Sequence, residues 1–216
     1  MACNDCDRGG PAPPGPREED RLPSSAERAV KVVIAGGFGA GKTTMVGSVS
    51  EIRPLTTEET MTRASAPVDN LCGVEEKSAT TVAMDFGRLT FGGRLVLYLF
   101  GTPGQQRFWS LWNGVLEGAL GAVVLVDARR LQDCFQPMDR LEEGGVPFVV
   151  ALNTFPDAPL PGERELRAAL DLPGHVPVVR CDARQPGSSR DVLLTLMRYL
   201  HDTYGGEDAA ARKEAP

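Results

Sequence analysis

A glycine-rich stretch between a strongly apolar run and an amphipathic run constrains the fold of this chain more than any other feature. Residues 36–43 read GGFGAGKT and fit the pattern G-x-x-x-x-G-K-[ST] at every fixed position. The preceding run VKVVIA predicts a buried strand, and the following run TTMVGSVSEI has helical spacing. Strand, loop and helix in this order gather backbone N–H groups at a helix N-terminus, so the stretch predicts a phosphate-binding loop.

Individual residues of this loop have distinct expected roles. Lys42 is predicted to reach the β- and γ-phosphates, and Thr43 offers a hydroxyl to Mg²⁺. The bulky side chain of Phe38 is expected to crowd the γ-phosphate or the attacking water. The residues predicted to contact a nucleotide here are Gly36, Phe38, Gly39, Ala40, Gly41, Lys42, Thr43 and Thr44.

The rest of the chain alternates apolar runs with amphipathic stretches, which is typical of an α/β domain with a mostly parallel sheet. Strands two and three flank Gly92-Gly93, which predicts a two-residue turn and an antiparallel hairpin. Six strands are predicted, over 29–35, 81–91, 95–100, 119–126, 148–152 and 176–181. Helices are predicted near 42–51, 109–117, 131–143, 162–170 and 188–204.

Composition bounds the remaining possibilities. Residues 1–27 are rich in Pro, Gly and charge and predict a disordered arm, and 205–216 predict a flexible tail, so the domain spans 28–204. The formal net charge of -6 argues against nucleic acid as a partner. We find no run that predicts a transmembrane segment or a signal peptide, and the five cysteines form no disulfide pattern, so we expect a cytoplasmic protein.

The order of these elements resembles that of the Ras-like small GTPases, and the segments after the later strands can be compared with that family. Phe100-Gly101-Thr102-Pro103-Gly104-Gln105 is similar to the family's D-x-x-G-Q segment. The runs LFGTPGQ and AMDFGR resemble the bacterial MglA-like branch and, within it, the GTPases of actinomycete conservon operons. The resemblance implies a Ras-like P-loop NTPase: a six-stranded, mostly parallel sheet with one antiparallel hairpin and helices on both faces.

The resemblance also implies catalytic roles. Gly104 donates its N–H to the γ-phosphate, Gln105 orients the attacking water, and Lys42 completes the catalytic set. Thr81 stands where the family has its switch threonine, so it ligates Mg²⁺ together with Thr43, and Thr80 is the alternative. The roughly 28 residues before Thr81 are expected to form one long loop, the first switch.

Two departures from the family pattern alter the expected site. The aspartate of D-x-x-G is Gly101 here, so its place near Mg²⁺ falls to another carboxylate, Asp85 or an acidic group of the first switch. After strand five the chain keeps Asn153 but has Thr154 for the lysine and Pro156 for the base-reading aspartate of N-K-x-D. Asp182, Ala183 and Arg184 align with the S-A-K turn, and we hypothesise that Asp182 or Asp157 reads guanine.

The predicted function is a GTP-binding switch that slowly hydrolyses GTP to GDP with Mg²⁺. Hydrolysis is expected to be slow because position 80, which in the MglA branch carries an arginine finger, is a threonine. The resemblance implies a roadblock-family activator and a membrane sensor-kinase-like protein as partners, the latter able to recruit the chain to the membrane. The alternatives are a nucleotide-binding protein with negligible turnover, suggested by Gly101 and Phe38, and an ATP-using P-loop enzyme.

Two further features have competing interpretations. Asp127 ends an apolar strand, so it either caps the next helix or supplies a magnesium ligand as in a Walker B strand. Phe108, Trp109 and Trp112 form either a docking face next to the second switch or part of the core.

Overall fold

The computed structural model describes residues 22, 25–61, 80–103, 112–156 and 158–213, apart from the side chains at 56–61, 80–83, 113 and 205–213. In chain order its elements are β1 (Arg28–Gly36), α1 (Lys42–Val49), β2 (Leu55–Met61), β3 (Thr80–Phe91), β4 (Leu95–Gly101), α2 (Trp112–Leu116), β5 (Ala119–Asp127), a 3₁₀ turn (Leu131–Cys134), α3 (Phe135–Glu143), β6 (Phe148–Asn153), α4 (Glu163–Ala169), β7 (Val178–Cys181) and α5 (Pro186–Lys213).

The strands form one sheet in the order β2-β3-β4-β1-β5-β6-β7. β4, β1, β5, β6 and β7 run parallel, and β2 and β3 pair antiparallel at one edge. This confirms the predicted fold class, a P-loop α/β fold with a mostly parallel sheet and an antiparallel hairpin. The sheet also holds a strand that was not predicted: β2 occupies Leu55–Met61, inside the stretch expected to be one long loop.

The central strands are apolar without alternation because both faces of the sheet are covered. Val32, Val33, Ile34 and Ala35 of β1 are all fully buried. Their side chains alternate between two core clusters: the first contains residues of α1 and α5, and the second contains residues of α2, α3 and α4. Helices therefore lie on both faces, as predicted, and the carboxyl ends of the parallel strands are left for the loops.

The turn of the β3–β4 hairpin is longer than predicted. Residues Gly92, Gly93 and Arg94 form a three-residue connection, in which both glycines have positive φ of +57° and +72°. Phe91 therefore pairs with Leu95, and six residues further along the hairpin Asp85 pairs with Gly101. A two-residue turn would have placed Phe100 opposite Asp85.

The last helix, α5, continues to Lys213, beyond the predicted boundary at Tyr204 and into the segment expected to be a tail. Leu193, Leu196 and Leu200 of this helix are buried in the first core cluster. Among the described residues, no helix combines the length and apolar character that a membrane crossing requires.

Candidate functional site

The predicted phosphate-binding loop joins β1 to α1, and its glycines are required by its shape. Gly36, Gly39 and Gly41 have φ values of +141°, +75° and +104°. A Cβ on Gly36 would lie 2.5 Å from the Leu125 carbonyl oxygen, and one on Gly41 would lie 2.5 Å from Nδ2 of Asn153. The loop therefore packs against β5 and β6 at a distance that only glycine allows.

Lys42 begins α1 and lies inside the loop. Its side chain is buried, and its Nζ donates hydrogen bonds to the carbonyl oxygens of Gly36 at 2.9 Å and Gly37 at 2.7 Å. Burial lowers the pKa of Lys42 to about 8, partly offset by the negative charge of Asp85. An ammonium group held in a low-dielectric loop is suited to binding phosphate oxygens, because the anion supplies the counter-charge that the protein supplies only in part.

The structure brings the next loop residue, Thr43, to a carboxylate on β3. Thr43 Oγ1 donates a hydrogen bond to Asp85 Oδ2 at 2.6 Å, and Asp85 is only 8% exposed. Asp85 lies opposite Gly101, where a Cβ would come within 3.0 Å of Asp85 Cβ and 3.1 Å of Asp85 Oδ2. The space next to Gly101 is thus filled by a carboxylate from the neighbouring strand.

These oxygens fit the requirements of Mg²⁺. Magnesium takes hard oxygen ligands, keeps several waters and is commonly held by one or two protein groups together with substrate phosphates. The Thr43 hydroxyl at the start of α1 and the Asp85 carboxylate on β3 lie side by side and provide such a donor set. Within the described part of the chain no three His, Cys, Asp or Glu side chains cluster as an all-protein metal cage would require.

Asn153, at the end of β6, fastens the loop to the opposite side of the site. Its Nδ2 donates to the Ala40 carbonyl at 2.9 Å, and its Oδ1 accepts from the Ala183 N–H at 3.0 Å. Asn153 is 4% exposed, so both hydrogen bonds are shielded from water. Thr154 continues this junction, since its N–H donates to the Cys181 carbonyl at the end of β7.

Asp182 and Arg184 form a pair beside this junction. Both carboxylate oxygens of Asp182 accept hydrogen bonds from the Arg184 guanidinium, at 2.8 and 2.9 Å. These hydrogen bonds hold the pKa of Asp182 below its usual value. Asp182 is therefore a carboxylate with a fixed orientation next to Ala183, although its pairing with Arg184 occupies both of its oxygens.

The remaining loop residues are placed as follows. Phe38 is 62% exposed, and Thr44 on the first turn of α1 is also exposed. Ala40 was predicted to contact the nucleotide. Its side chain is buried in the first core cluster, so only its backbone can make that contact. The Phe38 ring is therefore largely exposed, and the crowding of the γ-phosphate expected from it stays a prediction.

Thr81 is not brought to this site. Its backbone lies within β3, paired with Thr60, and four residues along an extended strand separate it from Asp85, or about 13 Å. Its side chain, together with Gly104, Gln105 and Asp157, lies outside the described part of the chain. The roles expected of these four residues stay predictions.

Asp127 does not cap the element that follows β5, and its carboxylate pairs with an arginine two residues along the chain. Its carboxylate accepts from the Arg129 N–H at 3.0 Å and from the Arg129 guanidinium at 2.9 and 2.7 Å, and this pairing lowers its pKa. The following 3₁₀ turn begins at Leu131 and has no side-chain cap. Asp127 therefore stabilises the turn after β5, where Arg129 also stacks on the Phe155 ring at 4.1 Å.

Trp112 belongs to the core. It is 2% exposed and lies in the second core cluster, whereas Phe108 and Trp109 fall outside the described residues.

No role for Arg130 was predicted from the sequence. Its guanidinium contacts the Phe38 carbonyl from a turn far along the chain. No sequence pattern reveals such a contact, because it depends on how distant segments pack.

The fold and the loop define a P-loop protein with the topology of a small GTPase domain. The G domain of the T. maritima FeoB iron transporter is 18% identical, with a TM-score of 0.53 over 81% of this chain and 98% of that one. The Arl6 BBS3 small GTPase from Trypanosoma brucei, solved with the nucleotide analogue GppNp, is 20% identical, with a TM-score of 0.55 over the same shares. At these identities the likeness concerns the fold.

The family follows from sequence comparison. The model of the family described as "conserved hypothetical ATP binding protein" matches residues 34–203, well over half of the chain. An uncharacterized protein of Methanocaldococcus jannaschii is 30% identical over 126 residues, which is 57% of this chain and 69% of that protein. The chain belongs to this family of conserved hypothetical ATP binding proteins.

Proposed function

We propose that the chain is a GTP-binding molecular switch that hydrolyses GTP slowly to GDP and phosphate. One observation carries the proposal: Asn153 joins the phosphate-binding loop at Ala40 to the turn at Ala183. This connection links a phosphate cradle to the loops after β6 and β7, where the resemblance to the Ras-like GTPases implies that the base is bound. A rigid junction of this kind holds both ends of one nucleotide in a fixed geometry.

The residues on the phosphate side supply binding and charge stabilisation. The loop N–H groups and the Lys42 ammonium hold the β- and γ-phosphates, which bear the charge that moves during phosphoryl transfer. Thr43 and Asp85 would hold Mg²⁺, which neutralises phosphate charge when it is bound. Asp85 then takes the place of the aspartate that Gly101 replaces, and it reaches the site from β3 instead of β4.

Turnover depends on residues that follow β4. Gly104 would donate its N–H to the γ-phosphate, and Gln105 would orient the attacking water. Thr80 stands where the resembling branch has an arginine, and an arginine finger is worth about 10³–10⁵ in rate. Hydrolysis by the chain alone is therefore slow and is accelerated by a partner.

The partners proposed from the resemblance are a roadblock-family activator and a membrane sensor-kinase-like protein that recruits the cytoplasmic chain. A switch of this kind acts by changing the order of its switch segments with the bound nucleotide. We place the first switch in the stretch between α1 and Thr81 and the second in the stretch that follows Gln105, and Thr81 would approach Mg²⁺ in the GTP-bound conformation.

ATP binding is the second candidate, favoured by specific observations. Pro156 stands where the guanine-reading aspartate belongs, and the carboxylate of Asp182 is engaged by Arg184. The family description also names ATP. Guanine is preferred if Asp182, or Asp157, accepts hydrogen bonds from the base, and adenine is accepted if neither does.

Two measurements on the purified full-length chain test the proposal. Nucleotide released by acid from the freshly purified protein is identified by chromatography, and GDP or GTP is the expected result. Single-turnover release of phosphate from GTP then separates a slow enzyme from a protein that only binds. Recovery of ADP or ATP supports the second candidate, and failure to retain or bind any nucleotide contradicts both.

A further inference from the structure

Arg130, in the turn between β5 and α3, contacts the phosphate-binding loop from the side. Its Nη2 donates a hydrogen bond to the Phe38 carbonyl and forms an ion pair with Asp133 Oδ2 at 2.8 Å. Asp133 itself packs against the loop, since a Cβ on Gly37 would lie 2.5 Å from Asp133 Cβ. One turn of chain therefore holds two consecutive residues of the loop.

The geometry of the peptide bond shows which side of the loop Arg130 holds. In a trans peptide the C=O and the N–H point in opposite directions, and the described residues contain no cis peptide. In loops of this motif the N–H groups line the side that faces the phosphates. The Phe38 carbonyl and the Gly39 N–H belong to the same peptide. Because Arg130 binds this carbonyl on the side away from the phosphates, the Gly39 N–H points toward the phosphates.

This peptide needs support because its own surroundings provide little. Gly39 has a φ of +75°, and a Cβ built on it would meet nothing within 4 Å. A glycine peptide in open space can rotate, and rotation would turn a carbonyl oxygen toward the phosphates and the N–H away from them. A guanidinium donor makes a strong, charge-assisted hydrogen bond that opposes the rotation and polarises the N–H.

We propose that Arg130 is a positioning residue for phosphate binding: it fixes the Phe38–Gly39 peptide with the Gly39 N–H directed at the phosphates. The proposal rests on the proposed function, since it requires that this loop binds a nucleotide. It assigns no contact between Arg130 and the nucleotide itself. Asp133 orients the guanidinium through the ion pair.

The chain contains a matched control in the preceding residue. Arg129 and Arg130 are adjacent, their side chains are both 45% exposed, and each forms an ion pair with an aspartate. Arg129 pairs with Asp127 and stacks on Phe155, whereas Arg130 reaches the Phe38 carbonyl. Each substitution removes one positive charge from an ion pair, and of the two only Arg130→Ala also removes a contact with the loop.

The test measures dissociation constants of fluorescent GDP and of a slowly hydrolysed GTP analogue, with Mg²⁺, for the full-length wild type and three variants. Arg130→Ala is expected to weaken binding of both nucleotides roughly tenfold, as for loss of one charge-assisted hydrogen bond. Arg130→Lys is expected to recover part of the affinity, because an ammonium still donates to the carbonyl. Arg129→Ala is expected to bind like the wild type.

Melting temperatures without nucleotide distinguish positioning from general stability. We expect Arg130→Ala to melt no lower than Arg129→Ala, because Arg129 pairs with the nearly buried Asp127 whereas the partner of Arg130, Asp133, is 36% exposed. Equal affinities for these two variants would overturn the proposal, as would a loss of affinity matched by a lower melting temperature in Arg130→Ala alone. If the wild type itself binds neither nucleotide, the proposed function fails, and the role of Arg130 fails with it.

Discussion

The carboxylate of Asp85 offers the sharpest prediction. It lies on β3, directly opposite Gly101 on β4, where the resembling family has its aspartate. Asp85→Asn preserves the shape of the side chain and an oxygen that accepts from Thr43, but removes the charge. We expect the affinity for Mg²⁺ in the nucleotide complex to fall about 10- to 100-fold, as for other groups that tune a metal site. In the presence of EDTA, nucleotide affinity should hold or increase, because a negative charge near the phosphates is gone.

Gly101→Asp, which adds a carboxylate at the position on β4 where the resembling family has its aspartate, should destabilise the protein. The new Cβ would lie 3.0 Å from Asp85 Cβ and 3.1 Å from its Oδ2. Two carboxylates about 4 Å apart repel by roughly 4 kcal/mol at an effective dielectric constant of about 20. The double exchange Asp85→Gly with Gly101→Asp keeps a single carboxylate in this space, so it should regain most of the stability and part of the affinity for Mg²⁺.

The assays are urea denaturation without nucleotide and magnesium titrations of nucleotide dissociation. Asp127→Asn is the matched control, since Asp127 is also 8% exposed but pairs with Arg129. Its magnesium affinity should equal that of the wild type. The reasoning is refuted if Asp85→Asn binds Mg²⁺ as tightly as the wild type, or if Gly101→Asp is no less stable than the double exchange.

Three further predictions concern the loop and its supports. Nucleotide affinity should fall by up to about tenfold per pH unit above pH 8. The pKa of Lys42 is about 8 and rises when phosphate binds, so binding above this pH takes up a proton. Calorimetry from pH 7 to about 9.5 checks this, and a flat profile contradicts it. Asn153→Ala should cost about 2–4 kcal/mol in urea denaturation, because it leaves the buried Ala40 carbonyl and Ala183 N–H unpaired; a loss below ~1 kcal/mol would refute this. Gly36→Ala should abolish nucleotide binding, since its Cβ would lie 2.5 Å from the Leu125 carbonyl oxygen; retained binding in an equilibrium titration would contradict that geometry.

The parts of the fold that the sequence predicted are those with strong local patterns. β1 is a continuous apolar run because it is buried on both faces, and the glycine spacing after it leaves few conformations for the loop. The predicted helix before the C-terminus has an apolar stripe, and its Leu193, Leu196 and Leu200 are buried in the first core cluster. Local patterning and tertiary packing agree in these segments, which is the condition for prediction from sequence.

β2 was missed because its sequence, LTTEETM, has no apolar alternation. In the described part of the sheet it is an edge strand, paired with β3. Its threonines favour extended structure, and they were the available signal. Propensity alone, without a hydrophobic pattern, did not distinguish this strand from a loop.

The pairing of Asp85 with Gly101 depends on one residue, Arg94, in the turn of the β3–β4 hairpin. The pair Gly92-Gly93 is typical of a two-residue turn, but the structure adds Arg94 to the connection and shifts the register by one. Asp85 was proposed from sequence as a substitute carboxylate, and the three-residue turn explains how it comes to lie opposite Gly101. Arg130 had no sequence signal, because its contact with Phe38 exists only after β5 and β1 have packed side by side.

The central claim is that one site holds a guanine nucleotide between the phosphate-binding loop and the junction at Asn153. Its most direct test is competition against fluorescent GDP on the nucleotide-free full-length protein with Mg²⁺, using unlabelled GDP and ADP. We predict displacement by GDP at a concentration at least tenfold lower than by ADP, a difference of about 1.4 kcal/mol. Equal or stronger displacement by ADP would contradict the claim.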